Sequence, residues 1–278
     1  MASDPVSVSK GLAVADLVAA LARLRASLAE HDRLYVAFSG GADSAFLAAV
    51  AHQVLGAGRA TAVTAVSPSL PASERAECAD LATEWGLDWI EVETDEMASA
   101  AYRRNDGDRC FWCKDALMRA IGPIAGDAAV ALGVNLDDLG DHRPGQRAAA
   151  EAGAVFPLVD AGFTKAMVRE ASRSMGLRTW DKPAAACLAS RIPYGMTVNV
   201  SVLGRVERAE AALRALGFDE LRVRHYDDTA RIEVPPDRFA ELAASADEVS
   251  AAVSACGYRY VTLDLMGLRS GNLNQALA

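Results

Sequence analysis

SGGADS, residues 39–44, decides the fold of this chain. The stretch follows the apolar run Leu34–Phe38, which is typical of a buried strand, and precedes Ala45–Ala51, which is typical of a helix. A Gly-rich turn between a strand and a helix N-terminus favours anion binding, because backbone N–H groups and the helix dipole face the ligand. Ser39 and Ser44 add hydroxyl donors, and the glycines let a phosphate approach closely. The chain has no Walker A sequence with its lysine.

The strand and helix pattern continues through the first two thirds of the chain. Strand-like runs occur at 34–38, 60–66, 88–92, 128–134 and 155–158, with helical sequence between most of them. This alternation predicts an α/β fold with a doubly wound parallel sheet, in which ligands bind at the carboxyl ends of the strands. After residue 182 the pattern changes to two helices, 198–216 and 239–255, and three short strands, 221–225, 231–234 and 258–263. We therefore predict an ATP-binding domain over 1–182 and a smaller α+β domain over 183–278.

Composition limits the possible partners. The chain has 278 residues, 51% hydrophobic residues and a net charge of −9, which argues against nucleic-acid binding. No apolar run reaches the length of a membrane span, and we expect a cytoplasmic protein with no membrane partner. Five cysteines are an odd number, which fits free thiols or metal ligands better than a disulfide framework.

Acidic and hydroxyl side chains follow two of the predicted strands. Asn135 and Asp138 lie in the segment GVNLDD, and such oxygen ligands beside a triphosphate site could hold Mg²⁺. The alternative is a solvated acidic loop. Ser67 follows the strand 60–66, where it would line a nucleotide pocket or, equally, form a Ser-Pro turn.

Cys187 lies at the predicted boundary between the domains, where substrate sites often form. Lys182 and Arg191 flank it, and positive neighbours favour the reactive thiolate of a cysteine. The alternative is a small buried thiol in the core. Cys110 and Cys113 form a C-x-x-C pair, which suits half a zinc site, a redox pair, an iron–sulfur site or two thiols without metal.

Arginines alternate with apolar residues on the strands of the second domain. Alternation places Arg222 and Arg224 on one face, and paired arginines suit a phosphate or a carboxylate. The alternative is a solvated strand face.

Four segments carry a resemblance to a known family. SGGADS resembles the loop of the PP-loop ATP pyrophosphatases (the adenine nucleotide α-hydrolase-like fold), which adenylate their substrates. Together with GVNLDDLGDHRPG (133–145), KPAAACLASRIPYG (182–195) and RSGNLN (269–274), it makes the chain resemble the LarE family. These are ATP-dependent sacrificial sulfur transferases that build the nickel-pincer cofactor of lactate racemase. The resemblance extends from residue 39 to residue 274.

The resemblance implies a reaction and a set of site residues. ATP, with Mg²⁺, would adenylate the carboxylates of pyridinium-3,5-dicarboxylate mononucleotide, releasing pyrophosphate. The sulfur of Cys187 would then displace AMP, and cleavage of its Cβ–S bond would leave a thiocarboxylate and dehydroalanine. The implied nucleotide-site residues are Ser39, Gly40, Gly41, Asp43, Ser44, Ser67, Asn135 and Asp138. The implied substrate-binding residues are Trp112, Ser190, Arg191, Glu210 (with Glu207 as the competing choice), Arg222, Arg224 and Arg269.

Other possibilities stay open at this stage. In some family members a [4Fe–4S] cluster is thought to carry the sulfur, and here Cys110, Cys113 and Cys187 would be its ligands. The family also implies a homo-oligomer, a hexamer. A different PP-loop adenylating enzyme, such as an amide-forming ligase or a tRNA thiolase, is the alternative activity, although the acidic balance disfavours tRNA. A non-catalytic ATP-binding regulator is a third class, which would need neither Cys187 nor Asp137-Asp138.

Overall fold

The computed structural model describes residues 6–140, 144–183 and 186–269, with side chains described from residue 14 onward. The described chain forms two compact units. The first comprises residues 6–66, 72–94, 113–140 and 144–183, and the second comprises 67–71, 95–112 and 186–269. Three of the family-like segments are partly outside the described residues, at 141–143, 184–185 and 270–274.

The helices and strands follow in this order: α1 Val6–Ala29, β1 Leu34–Ala37, α2 Ala42–Leu55, β2 Ala60–Val66, α3 Ala72–Trp85, β3 Asp88–Glu93, α4 Ala100–Arg103, α5 Arg109–Ala125, β4 Ala129–Leu132, α6 Pro144–Glu151, α7 Pro157–Asp160, α8 Lys165–Ser174, α9 Val200–Ala215, β5 Arg222–Tyr226, β6 Thr229–Glu233, α10 Phe239–Ala244, α11 Ala246–Ala255 and β7 Tyr260–Leu263. Short 3₁₀ helices cover Glu96–Ala98, Leu136–Gly140, Leu188–Arg191 and Pro236–Arg238.

The first unit is built on a four-stranded sheet. Its strand order is β3-β2-β1-β4, and every neighbouring pair is parallel. Leu34 and Val36 pack into a core with α1 and α2, whereas Tyr35 and Ala37 pack into a second core with α5. Because both faces of β1 are buried, the strand is apolar at every position rather than at alternate ones. The predicted α/β fold with a doubly wound parallel sheet is confirmed.

Two predicted elements differ from the structure. The strand predicted at 155–158 is wrong, since only a single bridge joins Val155 to Ala131, and α7 begins at Pro157. Proline has no N–H to donate to a strand ladder and suits the first turn of a helix. The single helix predicted at 239–255 is divided at Ser245, a residue type that competes for backbone hydrogen bonds, into α10 and α11.

The second unit carries a mixed three-stranded sheet. β5 and β6 form an antiparallel hairpin, and β7 pairs with β6 in parallel. Its core joins this sheet to α9 and α11 through residues such as Leu213, Ile232 and Val253. Residues 67–71 and 95–112 belong with this unit through backbone bonds such as those from Leu188 N to Ser69 O and from Val198 N to Arg103 O, both 2.9 Å. The predicted smaller α+β region is therefore present.

Candidate active site

The 39–44 loop of the first unit leads directly into α2. Gly40 has a φ of +66°, a conformation that glycine adopts without strain. The Ser44 hydroxyl accepts a bond from Ser39 N and donates one to Gly41 O, both at 3.2 Å. Gly41 is the N-cap of α2 and supplies no side-chain acceptor. The N–H groups of the first helical turn are thus not capped by its N-cap residue, as an anion-binding helix terminus requires.

The end of β4 lies directly against this loop. A Cβ atom built on Gly133 would be 2.7 Å from Ser44 N and 2.9 Å from Asp43 C. Only glycine permits so close an approach of two backbones. Gly133 therefore allows the close approach of β4 to the loop, and it was not among the predicted site residues, although it lies in the GVNLDD segment.

Asp43, Asn135 and Asp138 come together at the edge of the loop. Asp43 Oδ1 accepts a bond from Asn135 Nδ2 at 3.1 Å, and Asn135 N donates to Asp138 Oδ2 at 3.2 Å. Asn135 is fully buried, and its Oδ1 accepts from Asp137 N at 3.0 Å. The structure thus places three of the predicted nucleotide-site residues in one hydrogen-bonded group.

Two lysines also contact the loop and its acidic neighbours. Lys165 Nζ lies 3.3 Å from Asp43 Oδ2, a contact that the sequence analysis missed. Lys182 Nζ donates to Gly40 O at 3.1 Å and pairs with Glu74 Oε2 at 2.8 Å. Lys182 was expected to favour the thiolate of Cys187. In the structure its ammonium group instead contacts the loop at Gly40 O and pairs with Glu74.

Ser67 belongs with the second unit. Its hydroxyl accepts a bond from Ser69 N at 3.2 Å, and the Ser69 hydroxyl lies 2.6 Å from Tyr102 Oη. These contacts are those of a turn that supports the segment after Cys187, since Ser69 O accepts from Leu188 N.

Cys187 is half-buried and immediately precedes the 3₁₀ helix Leu188–Arg191. Its carbonyl accepts bonds from Ser190 N at 2.9 Å and from the Ser190 hydroxyl at 2.7 Å. Asn105 Nδ2 donates to the carbonyls of Ile192, Pro193 and Met196 at 3.1, 2.7 and 3.0 Å. The chain on the C-terminal side of Cys187 is thus tied to one buried amide.

Arg109 is the cation beside Cys187 that the sequence analysis missed. It is buried, and its Nη1 donates to Asn105 Oδ1 at 2.6 Å and to Ala189 O at 2.8 Å. Burial lowers the pKa of Arg109, whereas the nearby thiols of Cys187 and Cys110 raise it, and the net direction is upward. A fixed positive charge therefore lies within electrostatic range of both thiols.

The other cysteines divide into two kinds. Cys110 is exposed and Cys113 is half-buried, one helical turn apart at the start of α5. Cys113 belongs to the first unit, and Cys110 and Cys187 belong to the second. Over the described residues, no three His, Cys, Asp or Glu side chains are grouped closely enough to hold a metal ion. Burial raises the pKa of Cys78 to about 11, as suits an inert core thiol.

Two predicted substrate-binding arginines are paired with buried carboxylates. Arg191 Nε and Nη2 contact Glu210 Oε1 and Oε2 at 2.8 and 3.3 Å. Arg224 makes the same two-point contact with Glu233 at 3.0 and 2.9 Å, and its Nη1 donates to Ser190 O at 2.7 Å. Glu210 is thus an acid that binds Arg191. In both pairs a buried carboxylate already balances the charge of the guanidinium.

Arg222 is different, because its neighbours repel it. It is half-buried, and Nη1 donates to Arg269 O at 2.7 Å. Burial lowers the pKa of Arg222, and the charges of Arg224 and Arg191 lower it further, whereas Glu233 and Glu210 offset this only in part. Within the described parts of the chain Arg222 forms no ion pair. Its surroundings therefore favour an added anion.

Comparison with known proteins gives the family. No protein-family model matches this chain. An uncharacterized protein of Synechocystis is 44% identical over 92% of this chain and 97% of its own length. The pyridinium-3,5-bisthiocarboxylic acid mononucleotide synthase of Lactiplantibacillus plantarum is 38% identical over 95% of this chain and 97% of its own length. The chain belongs to the LarE family. A more distant relative, an uncharacterized protein of Methanocaldococcus jannaschii, is 24% identical over 90% of the chain.

Each of the two units holds some of the residues that the LarE resemblance assigned. Those of the first unit surround the 39–44 loop and include Asp43, Asn135 and Asp138. Those of the second unit surround Ser190, which Arg191 and Arg224 both contact. The Trp112 ring packs edge-on against Phe111 with their centroids 5.2 Å apart.

Among the described helices, none is long and apolar enough to cross a membrane.

Proposed function

We propose that this LarE-family chain is an ATP-dependent sulfur transferase. Its substrate would be pyridinium-3,5-dicarboxylate mononucleotide, whose carboxylates it adenylates and converts to thiocarboxylates. The observation that carries the proposal is the 38% identity along 95% of the chain to a bisthiocarboxylic acid mononucleotide synthase. The Cys187 thiol, next to a buried arginine, is the group that fits the sulfur-transfer step.

The 39–44 loop would bind the β,γ-pyrophosphate of ATP. The first turn of α2 offers backbone N–H donors, and Ser39 and Ser44 offer hydroxyls held 3.1 Å apart. Without a Walker lysine, this arrangement suits cleavage at the α-phosphorus, with AMP bound to the substrate and pyrophosphate leaving.

The group around Asp43 fits Mg²⁺. Asp43 and Asp138 would supply carboxylate oxygens, which are ligands that Mg²⁺ prefers, and Asn135 bonds to both of them. When bound there, the metal would offset the negative charge of the leaving pyrophosphate. The protein's part is to hold these oxygens in place. The Asn135 side-chain amide bonds to Asp43 and to Asp137 N, and the Asn135 backbone N–H bonds to Asp138.

Cys187 would act after adenylation. Its thiolate attacks the acyl carbon of the adenylate, a C–S bond forms, and AMP leaves with the electron pair of the broken C–O bond. A base then removes the Cα proton of Cys187, and the electrons of the Cβ–S bond leave with sulfur. The products are a thiocarboxylate and dehydroalanine at position 187. The bonds from Arg109 and Asn105 hold the chain on its C-terminal side during this reaction.

Arg222 would bind the phosphate of the mononucleotide. Its guanidinium is half-buried beside two other arginines, so an incoming dianion relieves repulsion as well as forming charge-assisted bonds. Arg191, Glu210, Arg224 and Ser190 would shape this pocket, with Arg269 contributing its carbonyl to Arg222. Trp112 would stack on the pyridinium ring.

The cluster route is kept as a second hypothesis about the sulfur source. It needs Cys110, Cys113 and Cys187 to meet on one cluster, and the described residues hold no such ready group. Iron and sulfide analysis of anaerobically purified protein tests it, and iron-free, colourless protein after reconstitution would contradict it.

Product analysis tests the first half of the proposal. With ATP, Mg²⁺ and the dicarboxylate, we expect AMP and pyrophosphate, and Asp43→Asn should lower the rate at least tenfold by weakening the metal and phosphate contacts. Asp88→Asn on the edge strand β3 is the matched control and should leave the products unchanged. Release of ADP as the main product would contradict the proposal.

The chain would assemble as a homo-oligomer, a hexamer by family resemblance. Light scattering should then give six times the chain mass of 29.3 kDa. A monomer at all concentrations would contradict this part of the proposal.

A further inference from the structure

Lys165 makes two contacts that the proposed chemistry does not use, one with the candidate metal ligand Asp43 and one with Asp137. Its ammonium Nζ lies 3.3 Å from Asp43 Oδ2, and its backbone N donates to Asp137 Oδ2 at 2.6 Å. The lysine side chain is 40% exposed, and that of Asp43 is 19% exposed. The backbone is thus fixed, and the partly exposed side chain can move.

Both oxygens of the Asp43 carboxylate already have partners, so a metal ion could bind there only by displacing one of them. Its Oδ1 accepts from Asn135 and its Oδ2 is neutralised by Lys165, so a metal ion must compete with the ammonium group for Oδ2. A partly exposed ion pair contributes only about 0.2–1 kcal/mol, which a divalent cation bridging a carboxylate and phosphates readily exceeds. The ammonium group is then released beside the loop that binds phosphate.

The structure of α8 allows this exchange. Thr164 caps the helix by accepting a bond from Met167 N at 3.3 Å, and Lys165 is its first residue. The helix start stays in place through this cap and the bond to Asp137, while the flexible four-carbon stem of lysine can swing. Lys182 is the contrast, since its side chain is only 18% exposed and its ammonium group already binds Gly40 O and Glu74.

We propose that Lys165 is an exchange residue of the nucleotide site. It occupies Asp43 while the loop lacks nucleotide, and it turns to the polyphosphate when Mg²⁺ takes its place on Asp43. It then supplies the mobile cation that a Walker lysine supplies elsewhere. This inference rests on the proposed ATP-dependent function, but not on the sulfur-transfer step.

Lys165→Met tests the exchange through two binding measurements that should move in opposite directions. Without nucleotide, the variant should bind Mn²⁺ about two- to fivefold more tightly, because the competing ammonium is gone. In excess Mg²⁺, it should bind α,β-methylene-ATP about tenfold more weakly, because a charge-assisted phosphate contact is lost. Lys165→Arg keeps the charge and should stay close to the wild type in both measurements. Thermal unfolding of each variant checks that the fold is kept.

The contrary outcomes are distinct. Unchanged Mn²⁺ and nucleotide affinities in a folded Lys165→Met protein would overturn the exchange role while leaving the proposed function standing. A fall in both affinities would also overturn it, because the lysine would then only support the site. Failure of the wild-type protein to bind α,β-methylene-ATP would overturn both the inference and the ATP-dependent function.

Discussion

Gly133 directly constrains the shape of the 39–44 loop. A side chain there would place Cβ 2.7 Å from Ser44 N and 2.9 Å from Asp43 C, and both of these atoms belong to the backbone, which cannot shift as easily as a side chain. Gly133→Ala should therefore cost about 1–3 kcal/mol of unfolding free energy and weaken ATP binding, because the loop must shift away from β4. Denaturant unfolding and calorimetric titration with ATP measure the two effects.

Gly122→Ala is the matched control for this prediction. Gly122 lies inside α5, and a Cβ built there has no atom within 4 Å. Alanine favours a helix interior over glycine by about 0.5–1 kcal/mol, so this variant should be as stable as the wild type or more stable. Equal unfolding free energies and equal ATP affinities of the two variants would show that the close approach of β4 does not constrain the loop.

At the level of the elements, Asn105, in the loop before α5, holds the segment after Cys187 in place through hydrogen bonds. Asn105 combines a left-handed backbone, with φ of +56°, and three donated bonds to the carbonyls of Ile192, Pro193 and Met196. Asn105→Gly should lose the side-chain bonds alone, and Asn105→Ala should also pay about 1–2 kcal/mol for the left-handed conformation. Both should reduce sulfur transfer without changing ATP binding.

Unfolding curves of the two Asn105 variants, with calorimetric ATP titration, check this prediction. Glycine should be the milder substitution. If alanine were tolerated as well as glycine, the backbone conformation would not contribute, and if both matched the wild type, the clamp on the Cys187 segment would not matter.

Most of the strands could be predicted from the sequence, but some elements could not. β1 to β4, α2 and the β5–β6 hairpin follow from apolar runs and turn residues, because these signals are local. The helical start of α5 was not predicted. Neither was the use of 67–71 and 95–112 by the second unit, which depends on backbone bonds between distant segments.

The same limit applies to the site. Ser39, Ser44, Asp43 and Asn135 are recognisable because motif residues adjoin strands in sequence. Lys165 and Arg109 are not, because no pattern marks them, and their partners are 122 and 80 residues away. Arg191 was predicted as a ligand-binding charge, yet burial pairs it with Glu210, and burial of this kind is not visible in a local pattern.

At the scale of the whole molecule, stability should depend on pH through His225 in the second unit. Burial lowers the pKa of His225, and the Arg205 charge lowers it further. The unfolded chain, with a histidine pKa near about 6.5, therefore binds a proton that the folded chain does not. The contribution of neutral His225 to the free energy of unfolding is complete above this pH and is lost as the pH falls below it.

His225→Gln should reduce the loss of stability between pH 7 and pH 5.5. Urea midpoints at the two pH values measure the difference, and His31→Gln at the end of α1 serves as the control because His31 is not in this buried group. An identical pH dependence in the wild type and His225→Gln would rule out His225 as the source.

Intact-protein mass after turnover tests the central claim, sulfur transfer from Cys187, most directly. With ATP, Mg²⁺ and the dicarboxylate substrate, we predict a loss of about 34 Da, one H₂S, on the peptide that contains Cys187, with one thiocarboxylate formed per chain. Cys187→Ala should show no mass change and no thiocarboxylate, while still releasing pyrophosphate. An unchanged wild-type mass with several products per chain, or full activity of Cys187→Ala, would contradict the claim.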